Sequence, residues 1–152
     1  VDKSIALAAS DYDLKKKYHF GNIDIVRDYA ADLPPIPANA QEIEQVVFNL
    51  LKNAAQALAD ITPDKNPRIT VRIRLQENYM LLELEDNGAG IKNELLPRIF
   101  EPFFTTRGVG AGTGLGLAVA YALIVNNHKG QISVESTPGA GSCCKVLLPL
   151  AP

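Results

Sequence analysis

The segment from Ala40 to Ala59 has the residue spacing of a long amphipathic helix, so the fold must cover it on one side. Its apolar side chains recur at intervals of three and four residues and form a single face. These residues are Ile43, Val46, Val47, Leu50, Leu51, Ala54 and Leu58. Asn39, a favourable N-cap residue, stands just before the helix. An apolar face of this length requires a second layer of secondary structure.

Segments with strand spacing can supply that layer. NIDIVRDY is predicted to form a first strand, RITVRIRL and MLLELEDNG a β-hairpin, and QISVES and SCCKVLLPL two strands about a turn. Two further helices are predicted, one that begins at Val1 and ends before Gly21, and one that begins between Leu115 and Leu117. This order predicts an α+β fold with one mixed sheet and helices on one face.

Composition disfavours several classes of protein. A chain of 152 residues fits one domain, and 15 basic against 17 acidic residues give a net charge of -2, which does not suggest nucleic acid. The longest apolar run is far too short to span a bilayer, and the first residues lack a signal-peptide pattern. We expect the adjacent Cys143 and Cys144 to be buried, reduced thiols in a strand.

The polar side of the Ala40–Ala59 helix consists mainly of neutral amides. It contains Gln45, Asn49, Lys52, Asn53 and Gln56, within about a third of the circumference. Solvated faces usually carry Glu and Lys, whereas Asn weakens a helix interior. Two interpretations stay open: a solvated face, or a ligand-facing stripe whose amide oxygens suit Mg²⁺ while phosphates and water complete the coordination.

EDNGAGI places Asp86 at the point where an apolar strand becomes a loop. The simpler interpretation is a D-N-G turn. The alternative is that the Asp86 carboxylate accepts a hydrogen bond from an amine, while Gly88 and Gly90 allow the backbone to approach a flat ligand. Adenine presents an amine at the position where guanine presents a carbonyl.

The glycine run RGVGAGTGLGL, from Arg107 to Leu117, matches neither common phosphate-binding loop. It has no lysine for a Walker A motif, and no frame gives the Rossmann G-x-G-x-x-G pattern. The phenylalanines of the preceding IFEPFFTT either fill the core or anchor a movable segment. We expect residues 107–112 to form a lid and the helix start after Gly114 to offer backbone amides to an anion.

Taken in order, QVVFNLLKNAAQAL, DNGAGI, IFEPFFTT, GAGTGLGLA and PGAGSCCKVLLP resemble the motifs of the histidine-kinase catalytic domain. That domain belongs to a superfamily shared with DNA gyrase, heat-shock chaperone ATPases and mismatch-repair ATPases. The resemblance covers nearly the whole chain. It implies a Bergerat-type fold, a two-layer sandwich of a mixed five-stranded sheet with three main helices on one face, which binds ATP and Mg²⁺.

The resemblance also implies roles for individual residues. Asn53 would coordinate Mg²⁺ with Asn49 nearby on the triphosphate side, and these two residues and Arg107 of the lid would serve phosphoryl transfer. Asp86 would receive the adenine amine, and Ser142 would support the adenine side through a water. The expected nucleotide-binding set is Asn49, Lys52, Asn53, Asp86, Gly88, Gly90, Ile91, Phe104, Arg107, Gly110, Gly112, Thr113, Gly114, Leu115, Gly116, Leu117 and Ser142.

Two positions depart from the family pattern without changing the expected chemistry. Gln56 occupies the place of a phosphate-contacting cation, so positive charge would have to come from Lys52, Arg98 or Arg107. Cys143 occupies the place of a larger apolar residue, which we interpret as a difference in packing.

A third departure bears on the reaction. Asn49 stands where hydrolysing relatives carry the glutamate that activates water, and an amide cannot take up that proton. The site is therefore expected to hold ATP for attack by a separate nucleophile. Neither His19 nor His128 has the sequence context of a phosphoacceptor, so we expect the acceptor on a dimerisation helix that precedes Val1 in a longer protein.

The leading hypothesis is a single catalytic domain, residues 1–152, of a sensor histidine kinase. It would pass the γ-phosphate to the dimerisation/phosphoacceptor domain of the same kinase and serve a response regulator indirectly. A serine kinase or a nucleotide-sensing module of the same superfamily are the alternatives. We expect a cytoplasmic domain that is monomeric when isolated, binds no nucleic acid and does not itself insert into a membrane.

Overall fold

The computed structural model describes residues 1–11, 20–59, 66–102, 104 and 116–151. Within these ranges five strands form one sheet: β1 (Asp24–Tyr29), β2 (Arg68–Gln76), β3 (Tyr79–Asp86), β4 (Gln131–Thr137) and β5 (Gly141–Pro149). Their order is β1-β2-β3-β5-β4. β1 runs parallel to β2, and the other neighbouring strands are antiparallel. The predicted mixed five-stranded sheet is confirmed.

The described part of the chain has three main helices, α1 (Asp2–Ser10), α2 (Ala40–Leu58) and α3 (Gly116–Tyr121). α2 is central, because it contacts α1, α3 and β3. α3 continues as a π-helical segment, Ala122–Asn127, which the sequence did not predict, and short 3-10 helices lie at Phe20–Asn22 and Asn93–Arg98. α1 ends at Ser10 because Asp11 is extended. It is therefore shorter than predicted, and residues 12–19 lie outside the described ranges.

α2 begins where the sequence predicts. The Asn39 side chain accepts a hydrogen bond from the Glu42 backbone N–H at 3.0 Å, which satisfies one of the amide donors left unpaired at a helix start. The buried face carries Val46, Val47, Leu50, Leu51, Ala54, Ala55 and Leu58. Burying one such leucine contributes about 1.5–3 kcal/mol of hydrophobic free energy, so the face anchors α2 on the core.

The two faces of the sheet differ sharply in polarity. On the helix-facing side, cross-strand partners are apolar: Leu84 lies opposite Val71 and Cys144, and Leu82 lies opposite Val146. The other side carries ion pairs, among them Arg72 with Glu83 and Glu85, Arg74 with Asp28, and Lys145 with Glu135. The helices thus pack on one face, as predicted, and the opposite face is charged.

The two cysteines lie on opposite faces of β5. Cys144 is buried in the core, as expected, and burial raises the pKa of its thiol to about 12. The expectation of burial is wrong for Cys143, which is half-buried on the charged face with its Sγ 3.6 Å from Glu83. Burial, with the charges of Glu83 and Glu85, raises the pKa of Cys143 to about 11. Both thiols are free.

None of the helices described for this chain has the length and apolar character that crossing a bilayer requires.

Candidate functional site

At one end of the sheet, the helix-facing side changes from apolar to polar. Ser142 on β5 lies directly opposite Asp86 on β3 and Ser136 on β4. Directly opposed residues in a sheet project from the same face, so the three side chains form a continuous polar row. This polar row, Asp86–Ser142–Ser136, follows the apolar row of Leu84, Cys144 and Val134 and ends the core.

Asp86 is held beside α2. It is only 7% exposed, and its Oδ1 accepts a hydrogen bond from the Gly88 backbone N–H at 2.9 Å. A Cβ on Gly88 would lie 2.8 Å from the Ala57 carbonyl oxygen, so only glycine lets this loop approach the helix so closely. Gly90 has a φ of +76°, a conformation that favours glycine. The hydrogen bond from the Gly88 N–H to Asp86 Oδ1 is the local bond that an aspartate makes to a backbone two residues on, and the loop packs Gly88 against Ala57 of α2.

Asn87, between Asp86 and Gly88, anchors the same loop, a role that the sequence analysis missed. Its Oδ1 accepts a hydrogen bond from the Arg68 backbone N–H at 2.8 Å, and its Nδ2 donates to the Asn66 carbonyl at 2.7 Å. These contacts join the end of β3 to the beginning of β2. The hairpin register places Asn87 next to the start of β2, so the register could have indicated these contacts.

Ser136 is a second residue that the sequence analysis missed. Its Oγ accepts a hydrogen bond from the Ile91 backbone N–H at 2.7 Å, lies 3.1 Å from the Gly141 carbonyl and lies 2.8 Å from Ser142 Oγ. It therefore ties the loop after β3 to the β4–β5 hairpin. The strand spacing of QISVES and SCC about the PGAG turn would have placed Ser136 opposite Ser142.

The amide stripe of α2 approaches the start of α3. Asn49 is 9% exposed; its Nδ2 donates to the Gly116 carbonyl at 3.1 Å, and its Oδ1 accepts from Gln45 at 2.9 Å. The solvated interpretation is wrong at this position, since Asn49 joins two helices. Gly116 itself packs against the Asn49 side chain. A Cβ added at Gly116 would lie 3.8 Å from Asn49 Cβ.

Asn53 lies one helical turn after Asn49. Its Nδ2 is buried, and it has no hydrogen-bond partner among the described residues. A buried donor without an acceptor costs free energy, so such a group in a native site points to a ligand or water that satisfies it. Ala57, one turn further on, contacts Gly88. Asn49 and Ala57 are about 12 Å apart along the axis, which sets the length of the site.

The remaining expected contacts divide between described and undescribed parts of the chain. Lys52 and Leu117 are half-buried, and Leu117 packs against the core. Phe104 lies under the Arg98 guanidinium, whose carbon is 4.6 Å from the ring centroid, and Arg98 also pairs with Glu101 at 3.5 Å. The other expected nucleotide contacts in this region lie outside the described ranges: Arg107, Gly110, Gly112, Thr113, Gly114 and Leu115.

His128, which lacks the sequence context of a phosphoacceptor, has a structural role. Its Nε2 accepts a hydrogen bond from the Asn39 backbone N–H at 3.0 Å, and its Nδ1 lies 2.8 Å from the Leu123 carbonyl, to which it donates. Both ring nitrogens are used in linking the π-helical segment to the start of α2. His19 lies outside the described ranges.

A family model described as "Histidine kinase-, DNA gyrase B-, and HSP90-like ATPase" matches residues 38–152. The chain belongs to this ATPase family. The match includes α2, the polar row and α3, and it confirms the predicted family.

Individual relatives narrow the comparison to histidine kinases. The chain is 36% identical over 137 residues to sporulation kinase E of Bacillus subtilis (strain 168), covering 90% of this chain and 18% of that protein. It is 38% identical over 133 residues to the signal transduction histidine-protein kinase AtoS of Escherichia coli (strain K12), covering 86% and 20%. The chain thus spans about a fifth of the length of these relatives.

A solved structure with the same architecture is the nucleotide-free catalytic domain of the histidine kinase ThkA. It superposes with a TM-score of 0.77 at 27% identity and covers 100% of this chain and 93% of that domain. The chain is therefore an ATP-binding domain of the histidine-kinase type, and the predicted fold is confirmed.

Proposed function

We propose that this domain binds Mg²⁺-ATP between α2 and the end of the sheet, and transfers the γ-phosphate to a histidine of the dimerisation/phosphoacceptor domain of the same kinase. The observation that carries the proposal is the order of groups along α2. Buried Asp86 lies in the loop that contacts Ala57, the Asn53 nitrogen is buried with no hydrogen-bond partner among the described residues, and Asn49 contacts the start of α3.

The adenine end of the site is assigned to Asp86. An ionised carboxylate only accepts hydrogen bonds, and the exocyclic amine of adenine is a donor. Gly88 and Gly90 keep the adjacent backbone free of side chains, so that a flat ring can lie against it. Ser142, directly opposite Asp86, supports the same edge. Ile91 and Phe104 are assigned to the walls around the adenine.

The phosphate end is assigned to Asn53 and the start of α3. An amide presents both an oxygen, which suits Mg²⁺, and a nitrogen, which can donate to a phosphate oxygen. The buried Nδ2 of Asn53 fits this pairing, because a bound triphosphate would supply the acceptor that the described residues do not. When bound, Mg²⁺ neutralises charge on the triphosphate. Lys52, Arg107 and the lid glycines are assigned to the remaining phosphate charge.

The chemistry of Asn49 favours transfer of the γ-phosphate to another group over hydrolysis of ATP. It is an amide where a hydrolase needs a base, and both of its polar atoms already bond to Gln45 and Gly116. A neutral amide does not accept a proton from water, and these two hydrogen bonds hold the side chain in place. We therefore assign Asn49 to holding the start of α3 on the triphosphate side. The attacking group then comes from the partner domain.

We also propose how this domain acts within the whole kinase. The phosphorylated histidine would pass its phosphoryl group to a response regulator, so that regulator is an indirect partner. We place the domain in the cytoplasm, where ATP is available, and propose that it is monomeric when separated from the dimerising helices and does not insert into a membrane.

A phosphotransfer assay tests the proposal. The domain is mixed with a separately produced dimerisation helix pair of the same kinase and γ-labelled ATP, with Asn53→Ala as the inactive control. Label on the helix pair that is lost in acid and kept in base supports the proposal. Label that is stable in acid or lost in base would instead indicate a serine kinase, and no label a nucleotide sensor.

A further inference from the structure

We infer that Ser136 fixes the direction of the Ser142 hydroxyl and so makes the polar row an acceptor-only edge, which selects a 6-amino purine over a 6-oxo purine. The inference rests on the proposed function, because it assumes that a purine lies against Asp86 and Ser142. Ser136 becomes a positioning residue for nucleotide specificity, a role separate from the contacts assigned to Asp86.

The hydrogen bonds around Ser136 permit one complete assignment. A serine hydroxyl has one hydrogen to donate and two lone pairs that accept. The Ile91 N–H must donate to Ser136 Oγ at 2.7 Å, and the Gly141 carbonyl, at 3.1 Å, can only accept. Ser136 therefore donates its one hydrogen to the Gly141 carbonyl oxygen. The 2.8 Å contact with Ser142 Oγ is then satisfied only when Ser142 is the donor.

This assignment determines what Ser142 can offer to a ligand. With its one hydrogen committed to Ser136, the Ser142 hydroxyl presents only lone pairs elsewhere. Asp86, directly opposite on β3, is also an acceptor when ionised. Two neighbouring acceptors favour a ligand edge that carries donor hydrogens, as the 6-amino group of adenine does. They disfavour a 6-carbonyl, which would face them with lone pairs.

Removal of the Ser136 hydroxyl would release this constraint. In Ser136→Ala the Ser142 hydroxyl loses the acceptor that held its hydrogen, so it can rotate and donate to a 6-carbonyl. A purely structural role for Ser136 would weaken all nucleotides equally, because the loop at Ile91 would loosen for each. A change in the preference between 6-amino and 6-oxo purines therefore indicates the positioning role. An equal loss of affinity for both indicates a purely structural role.

The test compares ATP with inosine triphosphate, a 6-oxo purine nucleotide that lacks the 2-amino group of guanine. Dissociation constants for both are measured by calorimetry with Mg²⁺ on the 152-residue chain. The variants are Ser136→Ala, Ser136→Thr, Ser142→Ala and the double alanine variant. Ser133→Ala, on the exposed opposite face of β4, is the matched control.

We expect Ser136→Ala to lower the preference for ATP about fivefold, the value of one net hydrogen bond. Ser136→Thr, which keeps the hydroxyl, and Ser133→Ala should retain the wild-type preference. Ser142→Ala, which removes the acceptor itself, should also lower it, and the double variant should match Ser142→Ala because Ser136 acts only through the Ser142 hydroxyl. These results together would support the inference.

An unchanged preference in Ser136→Ala, or equal weakening of both nucleotides, would overturn the inference while leaving the proposed function intact. If Ser136→Ala does not fold, an unchanged preference in Ser142→Ala overturns it instead. A wild-type chain that binds neither nucleotide would refute the proposed function itself, and the inference with it.

Discussion

Asp86 on β3 and Ser142 on β5 are directly opposed in the sheet and project from its helix-facing side at the point where the apolar core ends. A buried carboxylate is costly unless the structure supports its charge, and here the Gly88 backbone N–H donates to it. The sheet thus ends in polar groups beside α2, where a ligand with donor hydrogens can dock.

Asp86→Asn should reduce ATP affinity roughly 100-fold, since it places an NH₂ group or a neutral oxygen where the amine donor needs an anionic acceptor. The fold should persist because asparagine still offers an oxygen to the Gly88 N–H. Calorimetric titration with ATP checks the affinity, and circular dichroism checks the fold. Asp28→Asn, on the charged face of the sheet, is the control. Unaltered affinity in Asp86→Asn would disprove the adenine assignment.

Asn49→Ala and Asn53→Ala should differ in their effect on stability. Asn49→Ala removes two hydrogen bonds and leaves Gly116 and Gln45 without their partner, so we expect a loss of about 1–3 kcal/mol in the free energy of unfolding. Asn53→Ala removes a nitrogen that no described residue satisfies, and alanine favours helix, so stability should be unchanged or slightly higher. Urea unfolding without nucleotide measures both.

The same Asn53→Ala variant should lose the magnesium dependence of ATP binding. Titrations with ATP in the presence of Mg²⁺ and of EDTA would then give similar dissociation constants, whereas the wild type should bind more tightly with Mg²⁺. Lys92→Ala, an exposed cation outside α2, serves as the control. A full magnesium effect in Asn53→Ala would rule out Asn53 as the metal ligand.

Gly88→Ala should destabilise the domain by about 1–3 kcal/mol, because its Cβ would lie 2.8 Å from the Ala57 carbonyl oxygen and force the Asp86 loop away from α2. Thermal unfolding measures the loss. Gly21→Ala is a matched control, since a Cβ there meets nothing within 4 Å. Equal stability of the two variants would contradict the close packing of this loop.

Stability should fall as the pH rises above 9. Burial raises the pKa of the Cys144 thiol from 9.0 to about 12, so the unfolded chain loses this proton before the native chain does. The contribution is complete below pH 9 and is lost as the pH approaches 12. Urea unfolding between pH 8 and pH 11 should show a shallower decline for Cys144→Ala than for the wild type. Parallel declines would count against burial of this thiol.

The fold was predicted well from local sequence patterns, because each pattern lies within one helix, one strand or one hairpin. The apolar spacing of α2, its Asn39 cap and the β2–β3 hairpin all depend on residues close together in the chain. The end of α1 at Ser10 and the π-helical continuation of α3 were missed, because helical spacing does not record where the backbone leaves α-helical geometry.

The site was predicted only where a motif marked it. Asp86 and Asn53 stand in short motifs, whereas Ser136 binds an amide 45 residues earlier, at Ile91, and only the assembled register brings the two together. Arg98 could be proposed as a phosphate contact from its charge, but its position over Phe104 depends on tertiary packing. Long-range contacts of this kind follow from the topology of the sheet rather than from neighbouring residues.

The most direct test is an experimental structure of the domain with Mg²⁺ and a non-hydrolysable ATP analogue. We predict that the adenine amine lies within about 2.7–3.2 Å of an Asp86 carboxylate oxygen, with Asn53 coordinating the metal and the phosphates near Gly116. A nucleotide bound elsewhere, or an adenine that contacts neither Asp86 nor Ser142, would contradict it.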